Sequence, residues 1–212
     1  RGLVSPAPAT SFLLASTEGP IALEPHVEDP QSSAVFAEYP KLLKDHTLVN
    51  LIADTLRLVV VSSGTLDVHA VEDVVDNAIK THHHEVEGPQ HTLQGLADAL
   101  PALGIVAAVL GIVITMSILA EADNAMIGYK VGSALVGTFL GILASYGFFG
   151  PLAAALEHDA KEELNVYESI KATLVASASG MPPSLAVEFG RKVLYPAHRP
   201  SFSELEQAMR GS

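Results

Sequence analysis

The chain has 212 residues, with 24 acidic against 12 basic side chains, a formal net charge of −12, and neither cysteine nor tryptophan. The acidic balance argues against a nucleic-acid partner, and the absence of cysteine excludes disulfides, thiolate metal sites and cysteine nucleophiles. Only 17% of residues are charged, against about 25% in soluble domains, and the apolar excess is confined to two uncharged stretches, residues 99–120 and 131–156.

In chain order, residues 1–20 hold one basic residue and an apolar core, Phe12 to Ala15, too short for a signal peptide. They read as a disordered or remnant N-terminus. Residues 21–98 read as a cytoplasmic helical domain. Asp29-Pro30 is a cap with proline in the first turn and opens a short helix that stops near Tyr39-Pro40. His46 to Val61 carries Leu48, Leu51, Ile52, Thr55, Leu56 and Val59 on one face, an amphipathic helix. Ser62-Ser63-Gly64 ends it, and Thr65 or Asp67 caps a following helix to about Glu87. Gly88-Pro89 is expected to break the chain there.

Both uncharged stretches exceed the roughly 20 residues that cross a bilayer core, and neither carries a polar stripe. Residues 99–120 and 131–156 are therefore expected to be antiparallel transmembrane helices joined by a periplasmic loop at 121–130. Eleven of the twelve Lys and Arg residues lie in the flanks and only Lys130 in the loop. The positive-inside rule places both flanks, and both termini, in the cytoplasm. Residues 157–212 then form a cytoplasmic helical tail. Helix continues to Ser177 and stops at Gly180, Pro182-Pro183 opens another to Tyr195, and Ser201 with Glu204 makes a capping box for a last one. The fold class is all-α.

Gly104 with Ala108, and Gly137 with Gly141, stand four apart, the small-residue spacing of close helix contacts. Polar groups in the spans are Thr115, Ser117, Ser133, Thr138, Ser145 and Tyr146, and none is a carboxylate. An ion relay through this membrane segment needs an acid from a partner. Thr138 either faces such a site or bonds back to its own helix, the commoner arrangement. Pro101 and Pro151 mark the cytoplasmic ends of the two spans as hinges or as helix boundaries. His82-His83-His84 reads as a polar juxtamembrane face, because consecutive helical residues point about 100° apart and cannot share one ion. Arg191, Lys192 and Arg199 read as surface pairs with acids or lipid headgroups. No metal or cofactor site and no hydrolase or phosphate-loop motif is present in the sequence, so an enzyme is disfavoured.

The run Leu100-Pro-Ala-Leu-Gly-Ile-Val-Ala-Ala-Val-Leu-Gly111 resembles the third span of the MotA family, the ion-channel stator subunits of the bacterial flagellar motor. Ala134-Leu-Val-Gly-Thr-Phe-Leu-Gly-Ile-Leu-Ala-Ser-Tyr-Gly-Phe-Phe-Gly-Pro151 is similar to the fourth. Val187-Glu-Phe-Gly-Arg-Lys-Val-Leu-Tyr195, then Arg199-Pro-Ser-Phe-Ser-Glu-Leu-Glu206, and upstream Leu23-Glu-Pro-His-Val-Glu-Asp-Pro30, extend the likeness over residues 20–210. Two features depart from the family. Its first two spans have no counterpart, and Ser16 stands where the family has a basic residue, as in a truncated chain with an altered start.

The resemblance implies an inner-membrane, multi-pass subunit in a homopentameric ring around MotB, whose span supplies the missing aspartate. Ion flow would turn the ring against the rotor protein FliG. By position, Pro101, Ala108, Thr138, Tyr146 and Pro151 fall on the ion path and its coupling to motion, and Glu24 on a rotor-contacting acid. Sodium-type relatives carry threonine at the position of Ala108, and alanine offers no oxygen to a dehydrated sodium ion, so a proton is the expected ion. The ExbB and TolQ energisers of outer-membrane transport share the two-span core and remain the alternative, with a passive membrane scaffold as a third class.

Overall fold

The computed structural model describes residues 20–37, 40, 42–61 and 67–210. The readings for residues 1–19, for Tyr39 and for the Ser62-Ser63-Gly64 stop with Thr65 lie outside them. The described residues form eight α-helices and one π turn, with no strand among them. They are α1 (Pro20–Glu28), α2 (Ala34–Ala37), α3 (His46–Val61), α4 (Val68–Ser117), α5 (Asn124–Ala144), the π turn (Ser145–Phe149), α6 (Gly150–Ala178), α7 (Pro183–Val193) and α8 (Phe202–Arg210). Among the described residues, those up to 83 together with 162–210 make one compact unit, and residues 84–161 a second.

The first unit is built on aliphatic burial. Leu48, Val49, Ile52 and Leu56 of α3 pack with Val71, Val75 and Ile79 of α4, with Val27 and Phe36, and with Tyr167, Ile170 and Leu174 of α6. Each fully buried aliphatic side chain contributes about 1.5–3 kcal/mol. Caps fix where these helices start. Asp45 accepts from the Leu48 amide at 3.0 Å, and Asp67 accepts from that of His69 at 3.1 Å. Gly180, with φ 76°, ends α6 in the left-handed conformation that glycine adopts without strain. Ser201 and Glu204 close the expected capping box: the Glu204 amide donates to Ser201 Oγ (3.2 Å), and the Ser201 amide to Glu204 Oε2 (2.7 Å).

Four readings are corrected here. Asp29-Pro30 does not open a helix. Asp29 holds a turn by accepting from the Ser32 amide and hydroxyl, and Ser33 starts the single turn α2, accepting from the Phe36 amide at 3.5 Å. Gly88-Pro89 does not break the chain, since α4 runs through it from Val68 to Ser117. An interior proline removes one backbone bond, and long helical flanks on either side sustain the helix despite it. His82 is not a solvated face. Its side chain is 12% exposed, its Nε2 lies 2.9 Å from Glu163, and its ring stacks on Tyr167 at 4.4 Å. Arg191 is no surface ion. It is buried, its guanidinium donating twice to Glu188 at 2.6 Å and once to the Pro200 carbonyl at 3.0 Å.

The second unit is a helical hairpin. Residues 118–123 turn the chain, and Asp123 caps α5 by accepting from the Met126 amide at 2.7 Å, so residues 124–130 are helical rather than loop. Both arms belong to helices long and apolar enough to cross a membrane, with only 17% of each apolar window buried. Leu103, Val106, Leu110 and Val113 of α4, and Leu135, Val136 and Phe139 of α5, stand exposed in the isolated chain. In water such faces would be costly; hydrocarbon accommodates them.

Candidate functional site

Glycines set how closely the hairpin arms approach. A β-carbon on Gly104 would lie 2.8 Å from the Gly137 carbonyl oxygen, and one on Gly141 would lie 2.6 Å from that of Leu100. One on Gly111 would meet Ala134 Cβ at 2.4 Å. The small-residue spacing read from the sequence thus places backbone against backbone, where dispersion and polar contacts replace the hydrophobic effect.

Two hydroxyls cross the seam. Thr138 Oγ1 donates to the Gly104 carbonyl at 3.1 Å. That differs from a back-bond to its own helix, because glycine at 104 leaves the carbonyl of the opposite arm within reach. Ser145, buried, donates from Oγ to the Ala97 carbonyl at 2.6 Å. Thr115 and Ser117, by contrast, bond back within their own helix, to Gly111 and Ile114 at 2.8 and 2.7 Å. The two crossing contacts stand seven residues apart, with Ala97 and Gly104 on α4 facing Ser145 and Thr138.

The remaining site positions group around this seam. Pro101 lies inside α4 between the two crossing bonds, so it is an interior proline rather than a helix boundary. Ala108 is buried, one turn further along. Pro151 stands at the second position of α6, directly behind the π turn. An interior proline ring would collide with the carbonyl four residues back, here that of Gly147. The chain widens over Ser145–Phe149 instead, and the Gly150 amide donates to the Ser145 carbonyl, a five-residue bond. Tyr146, in that turn, is 74% exposed. No carboxylate lies between residues 99 and 120 or between 131 and 156, so the hairpin interior supplies hydroxyls and carbonyls but no group that titrates near neutrality.

Glu24 belongs to the first unit. It is exposed on α1, which Arg57 of α3 holds by donating to the Val27 carbonyl at 2.9 Å and to Glu28 at 3.3 Å. Sequence reasoning counted Ser145 among the polar groups but missed its role. The available signal was Pro101 itself, which leaves the carbonyl four residues earlier without its helical donor and so calls for a hydroxyl nearby.

Comparison with known proteins matches this arrangement. The chain is 44% identical over 195 residues to Motility protein A of Salmonella typhimurium, covering 91% of this chain and 64% of that protein. It therefore spans just under two thirds of that relative's length. Its fold superposes on a Campylobacter (C. jejuni) MotAB structure with a TM-score of 0.69 at 14% identity, covering 90% of this chain and 67% of that one. It also superposes on the flagellar MotAB stator complex of Bacillus subtilis with a TM-score of 0.63 at 20% identity, covering 94% and 68%. The family model for MotA/TolQ/ExbB proton channels matches residues 44–169, so the chain belongs to the MotA/TolQ/ExbB proton channel family.

Proposed function

We propose that this chain is part of a flagellar stator subunit that, with a MotB-like partner, forms a proton channel and turns ion flow into torque on the rotor protein FliG. The observation that carries the reading is the hairpin: two apolar arms in backbone contact, crossed by hydroxyls, interrupted by Pro101 and Pro151, and without an acid of their own. Such an element transmits a proton-driven motion whose titrating carboxylate sits on another chain. The 44% identity to Motility protein A directs the choice within the family.

In this reading residues 99–120 and 131–156 cross the bacterial inner membrane and residues 121–130 face the periplasm. Residues 21–98 and 157–212 lie in the cytoplasm. Five copies surround the partner, whose intramembrane aspartate is protonated and released beside Thr138 and Ala108. Ala108, a buried methyl without an oxygen ligand, favours a proton over sodium. Pro101, Pro151 and Tyr146 relay the change to the cytoplasmic helices, where Glu24 meets the rotor.

The test is rescue of swimming in a stator-deleted strain by the full-length gene product with its partner subunit. Rotation that follows pH and ignores external sodium is expected; sodium dependence would overturn the ion assignment. Restored iron-siderophore uptake without motility would move the chain to the ExbB and TolQ branch of its family.

A further inference from the structure

We propose that Ser145 is a positioning residue that links the two prolines of the hairpin into one device. Pro101 lies inside α4. Proline has no amide proton, so the carbonyl four residues earlier, that of Ala97, loses its helical donor. Ala97 is buried, and a buried carbonyl without a partner is destabilising. The Ser145 hydroxyl fills this gap at 2.6 Å. It takes the position in the bonding scheme that the residue-101 amide would hold in an unbroken helix.

The same residue serves the second proline. The Ser145 carbonyl accepts the long bond from the Gly150 amide that closes the π turn immediately before Pro151. Its own amide is shared between the Gly141 and Ile142 carbonyls, where α5 gives way to the π turn. Gly150 is small where this happens: a β-carbon there would lie 3.1 Å from the Ser145 carbonyl oxygen. One residue therefore satisfies the carbonyl orphaned by the first proline and anchors the irregular turn that accommodates the second. A change in α4 at Pro101 moves the Ala97 carbonyl, and Ser145 passes that displacement to the π turn in front of Pro151. Thr138, two turns away, donates to the Gly104 carbonyl, whose helical donor does not come from a proline.

The role in motion rests on the proposed function, whereas the link itself does not, and two measurements separate them. In the first, Ser145→Ala, Ser145→Thr and the parent are compared in the full-length chain with its partner, reading the torque added per stator unit as units join a motor. That quantity is independent of how much protein reaches the membrane. Ser145→Ala is expected to lower the torque per unit at least about twofold, consistent with the loss of a buried hydrogen-bond donor, and Ser145→Thr, which keeps the hydroxyl, to retain most of it. Unchanged torque in Ser145→Ala overturns the coupling role. In the second, the purified full-length complex is melted as a double-mutant cycle with Pro101→Ala, which restores an amide proton at position 101. Ser145→Ala should lower the melting temperature by several degrees in the parent and by much less beside Pro101→Ala; equal losses in both backgrounds overturn the link. A parent complex that drives no motor refutes the proposed function, and the melting cycle still decides the link.

Discussion

The two units of this chain hold together by opposite means. The first fills its interior with large aliphatic side chains and ties its helix ends with caps and ion pairs. The second has almost no side chains at its seam, and its helices meet through glycine, alanine and two hydroxyls. Water expels the first set of surfaces, so volume stabilises the first unit. Hydrocarbon competes equally well for apolar side chains, so close backbone approach is what remains to hold the second. Removing atoms should therefore break the first unit, and adding them should break the second.

The largest effect is expected from truncation in the aliphatic core. Leu48→Ala should cost about 2–5 kcal/mol in a chemical denaturation series followed by circular dichroism, with the helices of the first unit lost first. Arg191→Ala should cost about 3 kcal/mol, because it leaves Glu188 and the Pro200 carbonyl without their buried partner. Recovery in Arg191→Lys would be incomplete, since an ammonium cannot donate to all three acceptors in the fork geometry. On the other side of the comparison, Gly141→Ala adds one methyl where the Leu100 carbonyl would lie 2.6 Å away. It should cost about 1–3 kcal/mol by forcing the arms apart, visible as lost disulfide trapping between cysteines placed across the seam. If Gly141→Ala were tolerated while Leu48→Ala was not, backbone contact would not be what holds the hairpin.

The smallest effect is a pH dependence at Glu188 in the first unit. The Arg191 guanidinium bonded to Glu188 holds that carboxyl below the usual glutamate range, with burial opposing it and Lys192 adding to it. A depressed folded value gives stability that is complete above the unfolded glutamate pKa of about 4.3 and is lost as pH falls through the folded value. Denaturation midpoints at pH 6 and pH 3 should differ in the parent and differ less in Glu188→Gln. Tyr167 makes no contribution near neutrality, because burial and then the Asp45 carboxylate push its hydroxyl above the usual phenol range.

Local chemistry was legible in the sequence wherever the deciding partner lay within a turn or two. The bounds of α3, the glycine stop at 180 and the Ser201–Glu204 box needed nothing beyond propensity and caps. The two apolar arms announced themselves by length. What escaped were features decided by partners far along the chain. His82 is packed by Tyr167 and Glu163, more than eighty residues away, and Arg191 is buried by the backbone at Pro200. Thr138 turns to Gly104 because the opposite arm is a bare glycine. The π turn was hidden for a related reason. A proline one residue into α6 reads as a helix start, and only the continuing helix before it shows that the bonding pattern had to widen.

The seven-residue spacing of the two crossing contacts sets a rule for how this hairpin can change length. Seven residues occupy close to two turns, about 10.5 Å of rise at 1.5 Å per residue. Inserting a single residue in either arm rotates everything beyond it by about 100°, turning glycines outward and bringing bulky side chains into the seam. Adding a whole set of seven to one arm keeps its inward face but slides the crossing pairs beyond it apart by about two turns. The pairs stay in register only when both arms gain or lose seven at the same level, at the cost of a slight coiling of one arm about the other. Insertions and deletions in these arms should therefore survive only as matched sets of seven in both arms, while bilayer thickness varies by only a few ångströms. Length adaptation then falls to tilt and to the ends of the arms, and the seam itself stays fixed.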